Sequence, residues 1–278
     1  MHLSEVTWTD VRDATIDAAV IPVGSTEQHG PHAPLGTDAL TAEAVAAAAV
    51  DAYGEVDSET AADSGTAADS GTAADSEDPA DGTRGELLVA PTISVGIAEE
   101  HRAFDGTLWV SPDTFRAYVR EAIESLVSHG IDRVVLANGH GGNVDALAEV
   151  ARRFSRDRSH DGYAVAFTWF QSVGEHAGDM GHGGPLETAF LRATHPELVR
   201  EDRIEAAADG AADRWGEWVA GVNLAHGSDE FTDNGVVGDP RAGDRERGEL
   251  LVDLASESLA DLVAAVVDRE MTRKNTAE

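Results

Sequence analysis

Ala18-Ala-Val-Ile-Pro-Val23-Gly24-Ser-Thr-Glu27-Gln28-His29 is the stretch that decides the reading of this chain. The apolar run at 18–23 reads as a strand, and a carboxylate and an imidazole arrive directly after it. A second cluster, Asn138-Gly-His140-Gly-Gly-Asn143, follows another apolar run at 133–137 in the same way. Carboxylate oxygen and neutral imidazole are ligands that zinc, manganese and iron(II) accept. The surrounding glycines let separate loops bend until their side chains converge. In extended backbone alternate side chains share a face, so Glu27 and His29 point into one space while Gln28 turns away. Asp38 returns across a Gly/Pro-rich loop, and its two oxygens suit it to bridge two ions about 3.5–4 Å apart. The expected cofactors are therefore two divalent ions: zinc, manganese or iron(II).

Outward from these clusters, short apolar runs alternate with helical periodicity. A helix is expected at 41–53, and a second strand at 87–95. Ser111 with Pro112 caps a helix whose face is Phe115, Val119, Ala122, Ile123, Leu126 and Val127, ending at Gly130. The strand at 133–137 leads to a helix capped by Asn143, with Val144, Leu147, Val150, Ala151 and Phe154 on one face. A fourth strand at 163–170 and a long closing helix at 250–267 complete the pattern. Strand–helix–strand alternation with right-handed crossovers gives an α/β fold: three α/β/α layers around a mostly parallel central sheet in a single domain, 1–278. Ligands bind such sheets beyond the carboxyl ends of the strands, where both clusters fall.

The segment 55–86 interrupts this pattern. Thr-Ala-Ala-Asp-Ser-Gly repeats from Thr60, and beyond Val56 no large apolar side chain precedes the next strand. A segment that cannot bury apolar surface does not offset its ordering entropy, so a disordered insertion is expected there.

Composition sets the environment. The chain has 278 residues with 42% hydrophobic content, enough for a well-buried core. With no cysteine, disulfides and thiolate metal sites are excluded. Asp and Glu number 52 against 20 Lys and Arg, giving a net charge of −32, and Lys274 is the only lysine. Such a surface repels nucleic acid and anionic membrane. Abundant Asp and Ala with scarce Lys resemble the proteins of a salt-loving (halophilic) archaeon, in whose cytoplasm a Debye length of about 3 Å at 1 M salt would screen the repulsion. No signal-like leader or bilayer-length apolar run is evident, and a cytoplasmic location is expected.

Taken together, Glu27-x-His29, Asp38, His101-Arg-Ala-Phe104-Asp-Gly106-Thr107, Asn138-Gly-His140-Gly-Gly-Asn143, Gly181-His182-Gly-Gly-Pro-Leu-Glu187-Thr188 and the 234–240 segment resemble the creatininase (creatinine amidohydrolase) family of metal-dependent hydrolases. The resemblance implies that Glu27, Asp38 and His140 hold one metal, and His29 and Asp38 the second. Creatininase proper adds a glutamate two residues after the loop histidine, where this chain has Gly142. Either Glu187 takes over as a metal ligand or water fills the position. The resemblance also makes His182 the catalytic histidine, an imidazole able to pass a proton between water and a leaving nitrogen near neutral pH, with Glu187 as the alternative shuttle.

Other residues carry lesser expectations. His32 either donates to a ligating carboxylate or packs under its loop; His101 shapes the pocket or an oligomer contact rather than binding metal. Trp109, Trp169, Trp215 and Trp218 read as core rather than substrate platform, with a ring-stacking role as the alternative for Trp169, which ends a strand beside the site. The expected reaction is hydrolysis of an amide C–N bond, other than a peptide bond, by a metal-activated water. Two small-molecule amide substrates compete: a formylamino-pyrimidine nucleotide deformylated in flavin or deazaflavin biosynthesis, and creatinine or another cyclic amide. A reading of another class is a non-catalytic scaffold or maturation factor that keeps the fold. The family resemblance further implies a homo-oligomer, a hexamer.

Overall fold

Four parallel strands, β1 (Ile16–Val23), β2 (Glu86–Val89), β3 (Arg133–Asn138) and β4 (Tyr163–Thr168), lie in the order β2-β1-β3-β4 in the computed structural model, which describes residues 1–63 and 84–270. The register pairs Val23 with Asn138 and Asn138 with Thr168, so three strands end level at one edge. That edge carries the loops that hold the two ligand-type clusters.

The helices are α1 (Trp8–Asp13), α2 (Thr37–Asp63), α3 (Pro112–Ser128), α4 (Val144–Arg156), α5 (Trp169–Ser172), α6 (Pro185–Thr194), α7 (Ile204–Asp209) and α8 (Arg245–Val267). Because strand side chains alternate, Ala18 and Val20 face α2, α6 and α8, whereas Ala19, Ile21 and Val23 face α3 and α4. β1 is thus apolar on both faces, as a central parallel strand covered by helices on each side must be. The fold is the expected single α/β domain with a parallel central sheet between helical layers.

α3 forms as its sequence dictates. Ser111 Oγ accepts the Thr114 amide at 3.3 Å, Pro112 sits in the first turn, and Phe115, Val119, Ile123 and Leu126 are buried. Gly130, at φ +86°, turns the chain out of the helix.

Several boundaries differ from the sequence expectation, each for a local reason. α2 begins at Thr37 rather than 41, which puts Asp38 on its first turn, and it runs on to Asp63. Part of the segment expected to be disordered is therefore helical, Glu86 already belongs to β2, and residues 64–83 lie outside the described residues. β2 stops at Val89 instead of 95 because Pro91 has no N–H to donate; pairing resumes only as a single bridge between Val23 and Ile93. β4 ends at Thr168, and Trp169 starts the short α5. Asn143 does not cap α4 with its side chain, which is used elsewhere.

After α7, a two-stranded antiparallel ribbon, β5 (Trp218–Val219) and β6 (Val222–Asn223), turns at Ala220 and Gly221. Both turn residues have positive φ, 50° and 81°. Among the described residues no helix is long and apolar enough to cross a membrane.

Candidate metal centre

Glu27 and His29 leave the end of β1 on one face, Asp38 enters from the first turn of α2, His140 from the loop after β3, and Glu187 from the first turn of α6. His29 Nε2 stands 3.0 Å from Asp38 Oδ1 and 3.6 Å from Glu187 Oε1. His140 Nδ1 stands 3.1 Å from Asp38 Oδ2 and 3.2 Å from Glu27 Oε1. All five residues are buried.

The loops are locked by asparagines. Asn138 Nδ2 donates to the His140 carbonyl at 2.7 Å, and its Oδ1 accepts the His140 amide at 3.1 Å. Asn143 joins two other loops instead of capping: its Oδ1 accepts the Ile97 amide and its Nδ2 donates to the Gly24 carbonyl, both at 3.0 Å. Gly183, at φ +57°, brings its backbone under His29 and donates its amide to Glu187 Oε2 at 2.6 Å. A Cβ at this position would come within 2.8 Å of the His29 carbonyl, so only glycine permits the approach.

Backbone carbonyls fix the tautomers of three rings, because a carbonyl can only accept. His29 Nδ1 donates to Glu27 O at 3.1 Å, His140 Nε2 to Ile97 O at 2.7 Å, and His182 Nε2 to Gln28 O at 2.5 Å. When neutral, each ring therefore turns an unprotonated nitrogen toward the carboxylates, the form in which imidazole binds a cation.

Whether these residues suit a metal is decided by their polar atoms. Both Glu27 oxygens, His29 Nε2 and Asp38 Oδ2 are buried without a hydrogen-bond partner. Stranding so many polar atoms in an interior is costly unless something else satisfies them. Neighbouring donor atoms about 3 Å apart without hydrogen-bond alignment match ligands that each sit about 2.0–2.2 Å from a common ion. The residues fit divalent cations. Overlapping groups that could hold an ion are Glu27, His29 and Asp38; His29, His182 and Glu187; and Glu27, His101 and His182.

Among the protein groups alone the fields are strong. Burial, aided by the Asp38 charge, pushes Glu27 up to about 7 against the pull of His140 and His29. Burial would lower His29, but Asp38 and Glu187 outweigh it and hold the ring well above its usual value; Glu27 and Asp38 do the same to His140. Burial would raise Asp38 and Glu187, yet the facing imidazoles keep both below the ordinary carboxylate range. His182 is lowered to about 4 by burial and by the charge of His29.

The centre opens into a cavity of about 730 Å³, whose walls include Phe170, Met180, Asp213, Arg214 and Trp215. Residues the sequence reading undervalued stand here. His101 Nε2 is 3.4 Å from Glu27 Oε1, its ring stacked on His182 at 4.2 Å. Trp215, read as core, closes the wall with its ring 5.5 Å from His101 and 5.9 Å from His182. Glu100 was missed; its Oε1 lies 3.9 Å from His140 Nε2, and it would be 2.9 Å from any Cβ placed on Gly142. Such a Cβ would also collide with the Ile97 carbonyl and the His140 ring, so position 142 has no room for a side chain. The Glu100-His101 pair carried a signal in its adjacency to the Phe104-x-Gly106-Thr107 segment.

Other expectations are corrected. Trp169 is no stacking platform: its ring is buried in the core, 4.8 Å from Phe190 and edge-on to Phe170 at 5.6 Å. His32 bonds to Thr188 Oγ1 at 2.9 Å under its loop and reaches none of the five residues above, and burial lowers it to about 4.

A parallel α/β domain with buried carboxylates and imidazoles converging at the carboxyl edge of its sheet defines the class: an α/β protein with a candidate metal centre. The chain belongs to the creatininase family, whose sequence model, described as creatinine amidohydrolase, matches residues 4–263. It is 32% identical over 228 residues to the mycofactocin precursor peptide peptidase of Mycobacterium ulcerans, covering 82% of this chain and 76% of the relative. It is 24% identical to the creatinine amidohydrolase of Pseudomonas putida, covering 95% and 96% of the two chains. A solved creatinine amidohydrolase (creatininase) shares the fold with a TM-score of 0.68 at 22% identity, over 97% of this chain and 98% of that one. Solved creatininases of this fold include a manganese form and a zinc–zinc form.

Proposed function

We propose that this protein is a dinuclear metal-dependent amidohydrolase that cleaves an amide C–N bond with water. One observation carries the reading: four buried ligand-type atoms, Glu27 Oε1 and Oε2, His29 Nε2 and Asp38 Oδ2, lack any hydrogen-bond partner and converge on one space. Glu27, Asp38 and His140 would hold one ion, and His29, Asp38 and Glu187 the other. Bound divalent zinc, manganese or iron(II) would supply Lewis acidity to the amide carbonyl and to a water molecule.

The remaining work falls to the chain itself. His182 presents unprotonated Nδ1 to the cavity, where it accepts the proton of the attacking water and delivers it to the departing nitrogen. Water adds to the carbonyl carbon and the C–N bond breaks, leaving a carboxylic acid and an amine. Trp215 and Phe170 give the substrate an apolar wall.

For the substrate, a peptide amide has the better support. The relatives at 30% identity or more are called precursor peptide peptidases, and the cavity lies in the size range that holds drug-sized ligands rather than one small ring. A nucleotide phosphate has less, since Asp179, Asp213 and Asp239 line the cavity and Arg214 is the one arginine or lysine among its lining residues. The small cyclic amide remains the second reading, supported by the 24% relative. Retention of the unpartnered ligand atoms speaks against a scaffold without activity. Assembly into a homo-oligomer in the cytoplasm belongs to the same proposal; the exposed Trp218, Val219, Val222 and Leu224 on and next to the β5–β6 ribbon are a surface that assembly would cover.

The test is a panel of peptides, cyclic amides and formylamino compounds, offered in molar salt with added manganese, zinc or iron(II). Metal-dependent release of an amine is expected from wild type and not from Asp38→Ala. Turnover unaffected by chelation, or unchanged in Asp38→Ala, would overturn the reading.

A further inference from the structure

Gln28, which the alternation of the strand end turns away from the metal ligands, sets two histidines of the centre in opposite senses. Its backbone carbonyl accepts the Nε2 hydrogen of His182 at 2.5 Å. Its side-chain amide is oriented by two backbone groups: Oε1 accepts the Gly30 amide at 2.9 Å, and Nε2 donates to the Gly235 carbonyl at 3.0 Å. The same amide nitrogen donates to His101 Nδ1 at 2.8 Å. A ring nitrogen that accepts carries no hydrogen, so the His101 hydrogen resides on Nε2. Ser228 Oγ lies 3.0 Å from the same Nδ1 and donates to the Glu100 carbonyl at 3.1 Å, so its single hydrogen is shared between two acceptors and the Gln28 amide is the donor that sets the tautomer.

His101 Nε2 faces Glu27 Oε1 at 3.4 Å, just beyond a formed hydrogen bond. In their neutral forms the other two rings near that oxygen, His140 at 3.2 Å and His182 at 3.7 Å, present unprotonated nitrogens. With an ion bound and His140 neutral, only His101 of the three offers Glu27 a hydrogen.

We propose that His101 is a positioning residue, a fixed N–H donor to the ion-ligating carboxylate of Glu27, and that the Gln28 amide keeps it so by occupying its other nitrogen. The proposal rests on Glu27 being an ion ligand. A donor to a ligating carboxylate restrains its orientation and biases which oxygen faces the ion. Loss of such a partner weakens metal binding by about 10- to 100-fold. The arrangement also accounts for a buried glutamine beside the strand end: a carboxylate at 28 would accept from His101 Nδ1, move the hydrogen off Nε2, and turn a lone pair on Glu27.

The first experiment reads the tautomer directly. Long-range proton–nitrogen NMR of the full chain labelled with ¹⁵N-histidine, with His101 assigned by its disappearance in His101→Gln, is expected to find the hydrogen on Nε2 with and without zinc. A hydrogen on Nδ1 overturns the proposal. The second compares two substitutions by zinc titration against a chelating dye. His101→Gln sets an amide near the former Nε2, His101→Asn near the former Nδ1. The glutamine variant is expected within about threefold of wild-type affinity and the asparagine variant about 10- to 100-fold weaker. Equal affinities of the two variants overturn it. Because the tautomer is also read in the metal-free chain, failure of the hydrolase reading and failure of this one are distinguishable.

Discussion

The rings of His101 and His182 lie 4.2 Å apart and 20° from parallel, yet one turns a hydrogen and the other a lone pair toward Glu27. Stacked histidines so close cannot both carry charge, and burial keeps both below their ordinary values. His182 is therefore the ring suited to receive a proton, and His101 the ring suited to hold one still.

His182→Ala removes the proton acceptor while leaving Glu27, His29, Asp38, His140 and Glu187 in place. Metal content of the purified variant is expected to match wild type, with turnover lower by about 10²–10⁴-fold. Loss of metal in step with activity would make His182 a ligand instead.

Asn143 ties the loop after β1 to Ile97 through two bonds of 3.0 Å, one buried and one partly buried. Asn143→Ala strands the Gly24 carbonyl and the Ile97 amide, so denaturant unfolding is expected to report a loss of about 2–4 kcal/mol. A helix cap alone would cost about 1 kcal/mol, and a loss that small would contradict the loop-tying role.

Much of this was legible before the structure. The apolar run into Glu27-x-His29 gave the strand and the shared face of both ligands, and Ser111-Pro112 with its helical apolar spacing gave α3, because these signals are local. The role of Gln28 was not legible: alternation said where it did not point, and only the fold brings His101 and Gly235 to it. The core expectation holds for Trp169 and fails for Trp215. Strand β4 stops one residue before Trp169, which swings its ring into the core against Phe190. Trp215 lies in an irregular stretch with no periodicity to read.

Metal loading should release protons. His29 and His140 are held above the usual imidazole value by Asp38 with Glu187 and by Glu27 with Asp38, so without a cation both rings carry protons at neutral pH. A cation requires the neutral ring, and so displaces them. Apparent affinity is expected to rise with pH between 6 and 8, an interval of about two units around neutrality. Calorimetry in buffers of different ionisation enthalpy is expected to show net proton release; none would contradict the assigned fields.

With a net charge of −32, the folded chain is under self-repulsion that salt relieves. The thermal midpoint is expected to climb as sodium chloride rises from about 0.1 M to about 2 M, as the Debye length falls from about 10 Å to below about 3 Å. A flat or falling midpoint would show that the acidic surface does not limit stability.

The most direct measurement is anomalous diffraction from crystals of the full chain grown with manganese or zinc. The account predicts two peaks, one among Glu27, Asp38 and His140 and the other among His29, Asp38 and Glu187, with Asp38 touching both. No peak within bonding reach of these residues at saturating metal would contradict it.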